Sequence, residues 1–178
     1  MEKEYRKPSI LGSMITIVFI IVVIGYLAIA ISTQDMVWAW PFFSAEPYQI
    51  TIYCYSKAVT IDPRDEAHQE LAELVNQTLS GRKRWDQLTM SGNTYHEYQT
   101  NPKMVVLELN YDPEIDVHWF YRFYRNVDTL VIPLLGRHAN INAIFGRVGR
   151  APATGSVIVN TTAPLFDYVQ GHDLCPAP

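Results

Sequence analysis

Charge is what this sequence has least of. Asp, Glu, Lys and Arg make up 18% of its 178 residues, against about 25% in an ordinary soluble domain. The shortage has a local centre: no charged residue falls between Lys7 and Asp35, and a gap of that length argues against a plain soluble chain. An excess of positive charge is missing as well. The net charge of -4 argues against a nucleic-acid partner, because phosphate affinity comes largely from Lys and Arg. Catalytic motifs are also absent. There is no H-E-x-x-H zinc helix, since His96-Glu97 is followed by Tyr98-Gln99-Thr100. There is no Gly-rich phosphate loop of the Walker or dinucleotide type. G-x-S-x-G is lacking too, and Gly155-Ser156 precedes a strand pattern instead of a strand-to-helix elbow. Disorder is excluded from the other side: four Trp, eleven Tyr and seven Phe are too many for a chain that never builds a core.

The uncharged gap contains Ile10–Ile31, 22 residues without a charge. As a helix they span about 33 Å, enough for a hydrocarbon core of about 30 Å. Gly12, Ser13 and Thr16 would make a small-residue contact face, but Gly12 and Gly25 are not spaced as a GxxxG pair, and ordinary lipid-facing composition is the preferred reading. Lys3, Arg6 and Lys7 precede the span, and no Lys or Arg follows until Lys57. The positive-inside rule therefore predicts a cytosolic N-terminus and an extracytosolic bulk. Ala28-Ile29-Ala30 resembles a cleavage site, but the apolar run exceeds the roughly 7–15 residues of a signal h-region, so an uncleaved signal anchor in the cell membrane is the preferred reading. No lipobox cysteine follows. Trp38, Trp40, Phe42 and Phe43 come next. They suit the outer membrane interface, where amphipathic rings collect, and equally suit packing onto the folded domain.

These features divide the chain into a cytosolic tail (1–9), a transmembrane helix (10–31), an aromatic, proline-containing tether (32–47) and an extracytosolic domain (48–178). In that domain Tyr48–Tyr55 alternates with Tyr48, Ile50, Ile52 and Cys54 on one face, as a half-buried strand does. Asp62-Pro63 reads as the cap and first position of a helix. Its apolar stripe is Ala67, Leu71, Leu74, Val75 and Leu79, and Gly81 ends it. Arg82, Lys83 and Arg84 follow where a helix dipole favours cations. The remaining segments read as strands: Thr94–Gln99, Met104–Tyr111, Val117–Tyr124, Thr129–Leu135, Asn142–Arg147, Ser156–Asn160 and Leu165–Val169. Val117–Tyr124 is ambiguous, because Asp112-Pro113 would also cap a helix there. The predicted fold is α+β: an N-terminal transmembrane helix, then a small domain with one main helix on a largely antiparallel sheet.

Cys54 and Cys175 are the only cysteines. On the outside of a cell they are able to form a disulfide tying the C-terminal tail to the first strand, or to remain two separate thiols. Asp116 and His118 alternate on one strand face, and His172-x-x-Cys175 has metal-like spacing without a second pair. Glu108 with Asp112 or Glu114 is the carboxylate pairing that acid–base chemistry would need. Such pairs are more often solvated, so no catalytic, cofactor-binding or metal-ligating residue is assigned, and no cofactor. Arg122, Arg125, Arg137, Arg147 and Arg150 would form a cationic patch for an anionic ligand or partner if their strands are adjacent. Asn76-Gln77-Thr78 and Asn160-Thr161-Thr162 match the glycosylation sequon. The sequence is best read as a non-enzymatic, single-pass protein held in the lipid bilayer. Its domain would bind a membrane-protein partner as an accessory or regulatory subunit. The alternatives are an anchored envelope hydrolase using Asp116 and His118, and a module for glycan or anionic polymer.

Overall fold

An all-apolar stretch must either find apolar cover or be left bare, and here it is left bare. In the computed structural model, which describes residues 9–118, 124–149 and 151–176, Ile10–Thr33 forms α1, a helix of 24 residues. It is about 36 Å long at the usual rise, and its side chains from Ile10 to Ala28 are exposed on every face. Ser9 caps its start by accepting from Gly12 N, and Gln34, in the left-handed region, closes its end. The hydroxyls of Thr16 and Thr33 donate back to Gly12 O and Ile29 O. α1 is therefore long and apolar enough to cross a membrane, with the Thr16 and Thr33 hydroxyls satisfied internally.

The rest of the described chain is one antiparallel sheet with helices on both faces. The strands are β1 (Gln49–Cys54), β2 (Lys57–Ile61), β3 (Lys83–Asp86), β4 (Val105–Ile115), β5 (Val127–Leu135), β6 (Ala143–Val148), β7 (Ala151–Pro152) and β8 (Ser156–Val159). Their spatial order is β2-β1-β4-β5-β6-β8-β3, with β7 folding back on β6 as a hairpin. β1 lies against β4 in the register Ile50↔Leu109 and Ile52↔Leu107. The chain crosses from the β2 edge to the β3 edge through α2 (Glu66–Ser80) and returns to the centre through α3 (Gly92–Thr100). α4 (Ala163–Gly171) follows the last strand. Lys57 and Thr60 lie exposed on one edge strand and Arg84 on the other, side chains that discourage further strand pairing.

Alternation along the strands divides the core in two. Ile50, Ile52, Leu107, Leu109, Leu130 and Ile132 meet Leu71, Val75 and Leu79 of α2 and Leu165 and Val169 of α4. On the opposite face Val106, Val131, Phe145 and Ile158 meet Tyr98 of α3, with Met90 and Met104. The α+β class and the antiparallel sheet agree with the sequence reading. Several details correct it. Thr94–Gln99 lies inside helix α3, and Leu165–Val169 lies inside helix α4. Among its described residues the domain thus has two shorter α-helices besides α2. Ser91 starts α3 by accepting from Thr94 N, a cap strong enough to set a helix in a segment whose aromatics mimic a strand. α2 starts later than Asp62-Pro63 suggests: Asp65 is its N-cap, while Asp62 accepts from Arg64 N in a preceding turn. Lys83 belongs to β3, yet its Nζ donates to Leu79 O at 2.6 Å, so a cation does meet the end of α2. Most of the expected strand Val117–Tyr124, including Trp119, Tyr121 and Phe123, lies outside the described residues. Val117 N donates to Tyr124 O.

Candidate functional site

The junction between α1 and the domain is built from side chains instead of a free linker. Asp35 is 6% exposed. One of its carboxylate oxygens accepts from Val37 N at 2.9 Å, and the other lies 2.8 Å from His118 Nδ1. Arg125 donates to Gln34 O and, at 3.1 Å, to Asp116 Oδ2. Asp116 Oδ1 in turn accepts from Asn126 N at 2.8 Å. Tyr26 donates to Met36 O and stacks in a tilted geometry with Trp38, 5.6 Å between ring centroids. An imidazole and a guanidinium from the β4–β5 connection thus hold Asp35 and Gln34, the Asp116 carboxylate braces the guanidinium, and Tyr26 of α1 holds Met36.

The collar aromatics then divide. Trp40 and Phe42 are exposed and meet edge to face at 5.7 Å. Phe43 is buried in the core. Its amide donates to Ser80 Oγ at 2.8 Å, and Ala45 N donates to Asn76 Oδ1 at 3.0 Å. The end of α2 therefore grips the tether by two side chains.

A groove opens beside this gripped segment. Its larger part is a cavity of about 610 Å³ bounded by Glu46, Pro47, Tyr48, His68, Asp112 and Glu114, among others. An adjoining cavity of about 430 Å³ shares Glu46 and His68 and adds Glu73 and Asn76. A third, of about 280 Å³, continues toward the junction between Trp40, Phe42, Ile115, Asp116 and His118. His68 is 3% exposed, and its Nε2 has no hydrogen-bond partner among the described residues.

A second polar site lies on the α3 face of the sheet. Glu108 is buried among apolar strand residues. Tyr95 of α3 donates to its Oε2 at 2.8 Å, and the Arg147 guanidinium sits 4.2 Å from the Tyr95 ring centre. Gln99 donates to the Tyr53 hydroxyl at 3.1 Å, and Thr129 to Asn110 Oδ1 at 3.1 Å. Burial pushes the Glu108 carboxyl above its ordinary range, opposed in part by the Tyr95 bond, the Arg147 charge and Asn110. Burial, then the Glu108 charge, pushes the Tyr53 and Tyr95 phenols up. Nearby, Tyr98 meets His138 Nδ1 at 2.6 Å. Burial, with Arg137 adding to it, lowers His138 below its ordinary value.

The sequence-derived candidates fall as follows. Cys54 and Cys175 are joined as a disulfide, Cα to Cα 5.4 Å, so Cys175 is not available for the metal-like spacing with His172. His172 stacks on Tyr168, 4.0 Å between centroids. Among the described residues no group of three or more His, Cys, Asp or Glu could hold a metal ion. Asp116 and His118 share the smallest part of the groove, but each is engaged at the junction. Glu108 does not meet Asp112 or Glu114. Glu108 lies under α3, while Asp112 and Glu114 line the groove. Arg137 pairs with Glu97 of α3 at 2.9 Å and Arg147 covers Tyr95 of the same helix, whereas Arg125 is at the junction. Arg122 and Arg150 lie outside the described residues. Asn76 of the first sequon is committed to Ala45 N, and Asn160 of the second is exposed.

Sequence reasoning missed His68 as a buried group and the Tyr53–Tyr95–Glu108–Arg147 network. The signal for the latter was present in Val-Val-Leu-Glu-Leu at 105–109, a charge inside an otherwise apolar strand pattern. His68 had no such signal, since it sits one residue from the apolar stripe of α2. Compared with known proteins, the chain matches no family model, no curated protein and no solved structure.

Proposed function

We propose that this chain is a non-enzymatic, single-pass protein of the cell membrane. α1 is an uncleaved signal anchor with a cytosolic N-terminus, and the extracytosolic domain binds a membrane-protein partner as an accessory or regulatory subunit. The observation that carries the reading is the junction. Asp35, Gln34 and Met36 are fastened to His118, Arg125 and Tyr26, so a contact made by α1 in the bilayer and a contact made by the domain outside it are mechanically coupled. A free tether would separate them.

Three further features support it. Exposed Trp40 and Phe42 stand just beyond the apolar helix, where aromatic rings favour the membrane interface. The Cys54–Cys175 bond suits an oxidising compartment. Asp116 and His118, the residues a hydrolase reading would use, are engaged in holding the junction. The test is purification of the full-length chain from its native membrane in mild detergent, combined with thiol labelling of engineered cysteines on either side of α1 in intact cells. The expected result is a stoichiometric membrane-protein companion and labelling only on the domain side. Recovery as a lone monomer, or labelling of the N-terminal side, overturns the reading.

A further inference from the structure

The groove along Ser44–Tyr48 has an unusual charge inventory. Glu46, Asp112 and Glu114 line its larger cavity and Glu73 lines the adjoining one, while among the described residues no Lys or Arg lines either. Arg64 follows the lining residue Pro63 in sequence but does not itself line the groove. Glu46, Asp112 and Glu114 are exposed and make no hydrogen bond or ion pair among the described residues. Three like charges gathered with no counter-charge among the described residues repel one another, and a cation relieves that repulsion. A second, independent observation points the same way. His68 lines both cavities, is 3% exposed and leaves Nε2 without a partner among the described residues. A buried polar nitrogen is ordinarily satisfied; a donor arriving in the groove would satisfy this one.

The walls select among cations. Pro47 and Pro113 offer apolar surface with Ile115, and Tyr48, 55% exposed, also lines the cavity. Such walls suit an aliphatic stem carrying a charged head, with the ring available for cation–π contact. The cavity of about 610 Å³ is far larger than a hydrated inorganic ion needs.

We propose that this groove receives a Lys or Arg side chain presented by a polypeptide partner. The stem lies along Pro47, Pro113 and Ile115. The head sits among Glu46, Asp112 and Glu114, and one N–H donates to His68 Nε2. The assignment rests on the partner-binding reading and supplies the chemistry of the partner. The groove continues past Ile115 to Asp116 and His118 at the end of α1, so the basic residue would come from a segment of the partner close to its own membrane span.

The experiment uses the full chain in phosphatidylglycerol nanodiscs with isotope-labelled histidine. The His68 ring signal is assigned by its loss in His68→Gln. The probe is a capped tripeptide with a central arginine, and the control is the same tripeptide with neutral, isosteric citrulline. A saturable shift of the His68 signal by the arginine peptide alone is expected. It should weaken at least tenfold in Glu46→Gln/Asp112→Asn/Glu114→Gln and should also weaken as salt rises. An equal response to citrulline, no saturable shift, or undiminished binding by the triple variant overturns the proposal. So does a shift produced by adding phosphatidylethanolamine to the nanodiscs that the peptide cannot reverse, which would assign the groove to a lipid headgroup. If the triple variant still co-purifies with the companion at wild-type yield, the groove assignment fails and the partner reading stands. If no companion is found while the peptide still shifts His68, the partner reading fails alone.

Discussion

Glu108 and His138 set opposite pH dependences within the same half of the core. Burial raises the Glu108 carboxyl, so the folded state binds that proton more tightly than the unfolded chain does. Its contribution to stability is complete below about pH 4.5, the ordinary value, and is lost as pH rises through the raised folded value. Burial and Arg137 lower His138, so its contribution is present above about pH 6.5 and is lost as pH falls through the lowered folded value. Glu108→Gln keeps an oxygen for Tyr95 and removes the buried charge. The variant is expected to melt higher than the natural protein at pH 8, with the difference closing toward pH 4.5. Thermal melts across that range check this, and a natural protein that is the more stable at pH 8 would show that Tyr95 and Arg147 outweigh the burial. A backbone position gives a sharper case. Gly155 has φ +80°, and a Cβ there would come within 2.3 Å of Trp85 Nε1 and 2.4 Å of Asp86 O. Gly155→Ala combines a left-handed penalty of about 1–2 kcal/mol with a clash against backbone that cannot swing away. The measured loss in denaturant unfolding should exceed that range.

At the scale of elements, five strands were legible in the sequence. β1 and the first half of β4 alternate, whereas β5, β6 and β8 are short buried apolar runs set off by glycine and proline, and each fell within a residue or a few of its expected bounds. α3 and α4 were not legible as helices. Each has only nine residues, too few for a helical period to stand out, and Tyr95 and Tyr98 in one and Leu165, Phe166 and Val169 in the other raise strand propensity. The deciding signals were local: the Ser91 cap in α3 and Pro164 in the first turn of α4. β2 was missed because its outward face is polar and only Ile61 is buried. The groove was illegible for a different reason. Glu46, His68 and Asp112 come from the tether, α2 and β4, and no sequence window contains them together. The tail element yields the next prediction. The Cys54–Cys175 bond closes a loop over a sequence separation of 121 and holds the segment after α4 to the end of β1. Cys175→Ser, or reduction of the natural protein, should lower unfolding stability by about 2–5 kcal/mol. Reductant should have no further effect on the variant.

For the whole molecule, the question is whether α1 and the domain move together. Among the described residues the side-chain contacts that join them are few and specific: Asp35 with His118 and Arg125 with Gln34 O, while Asp116 braces Arg125 within the domain and Tyr26 ties Met36 back to α1. Arg125 and Asp116 are each about one-quarter to one-third exposed, and a pair with that much solvent contributes at most about 1 kcal/mol to folding. His118 makes its contact from the loop that leaves β4, outside both apolar cores. The junction is therefore separable from the fold. His118→Ala/Arg125→Ala should leave the unfolding of the domain within about 1 kcal/mol of the natural protein, while freeing the backbone from Gln34 to Trp40. Limited proteolysis of the detergent-solubilised full chain reads that difference directly. The natural protein should resist cleavage between Gln34 and Trp40 until the domain itself unfolds. The double variant should be cut there from the native state, releasing a domain that keeps its disulfide and its melting behaviour. Equal cleavage of both proteins at this segment would mean that the junction does not hold, and the mechanical coupling on which an accessory role depends would be lost.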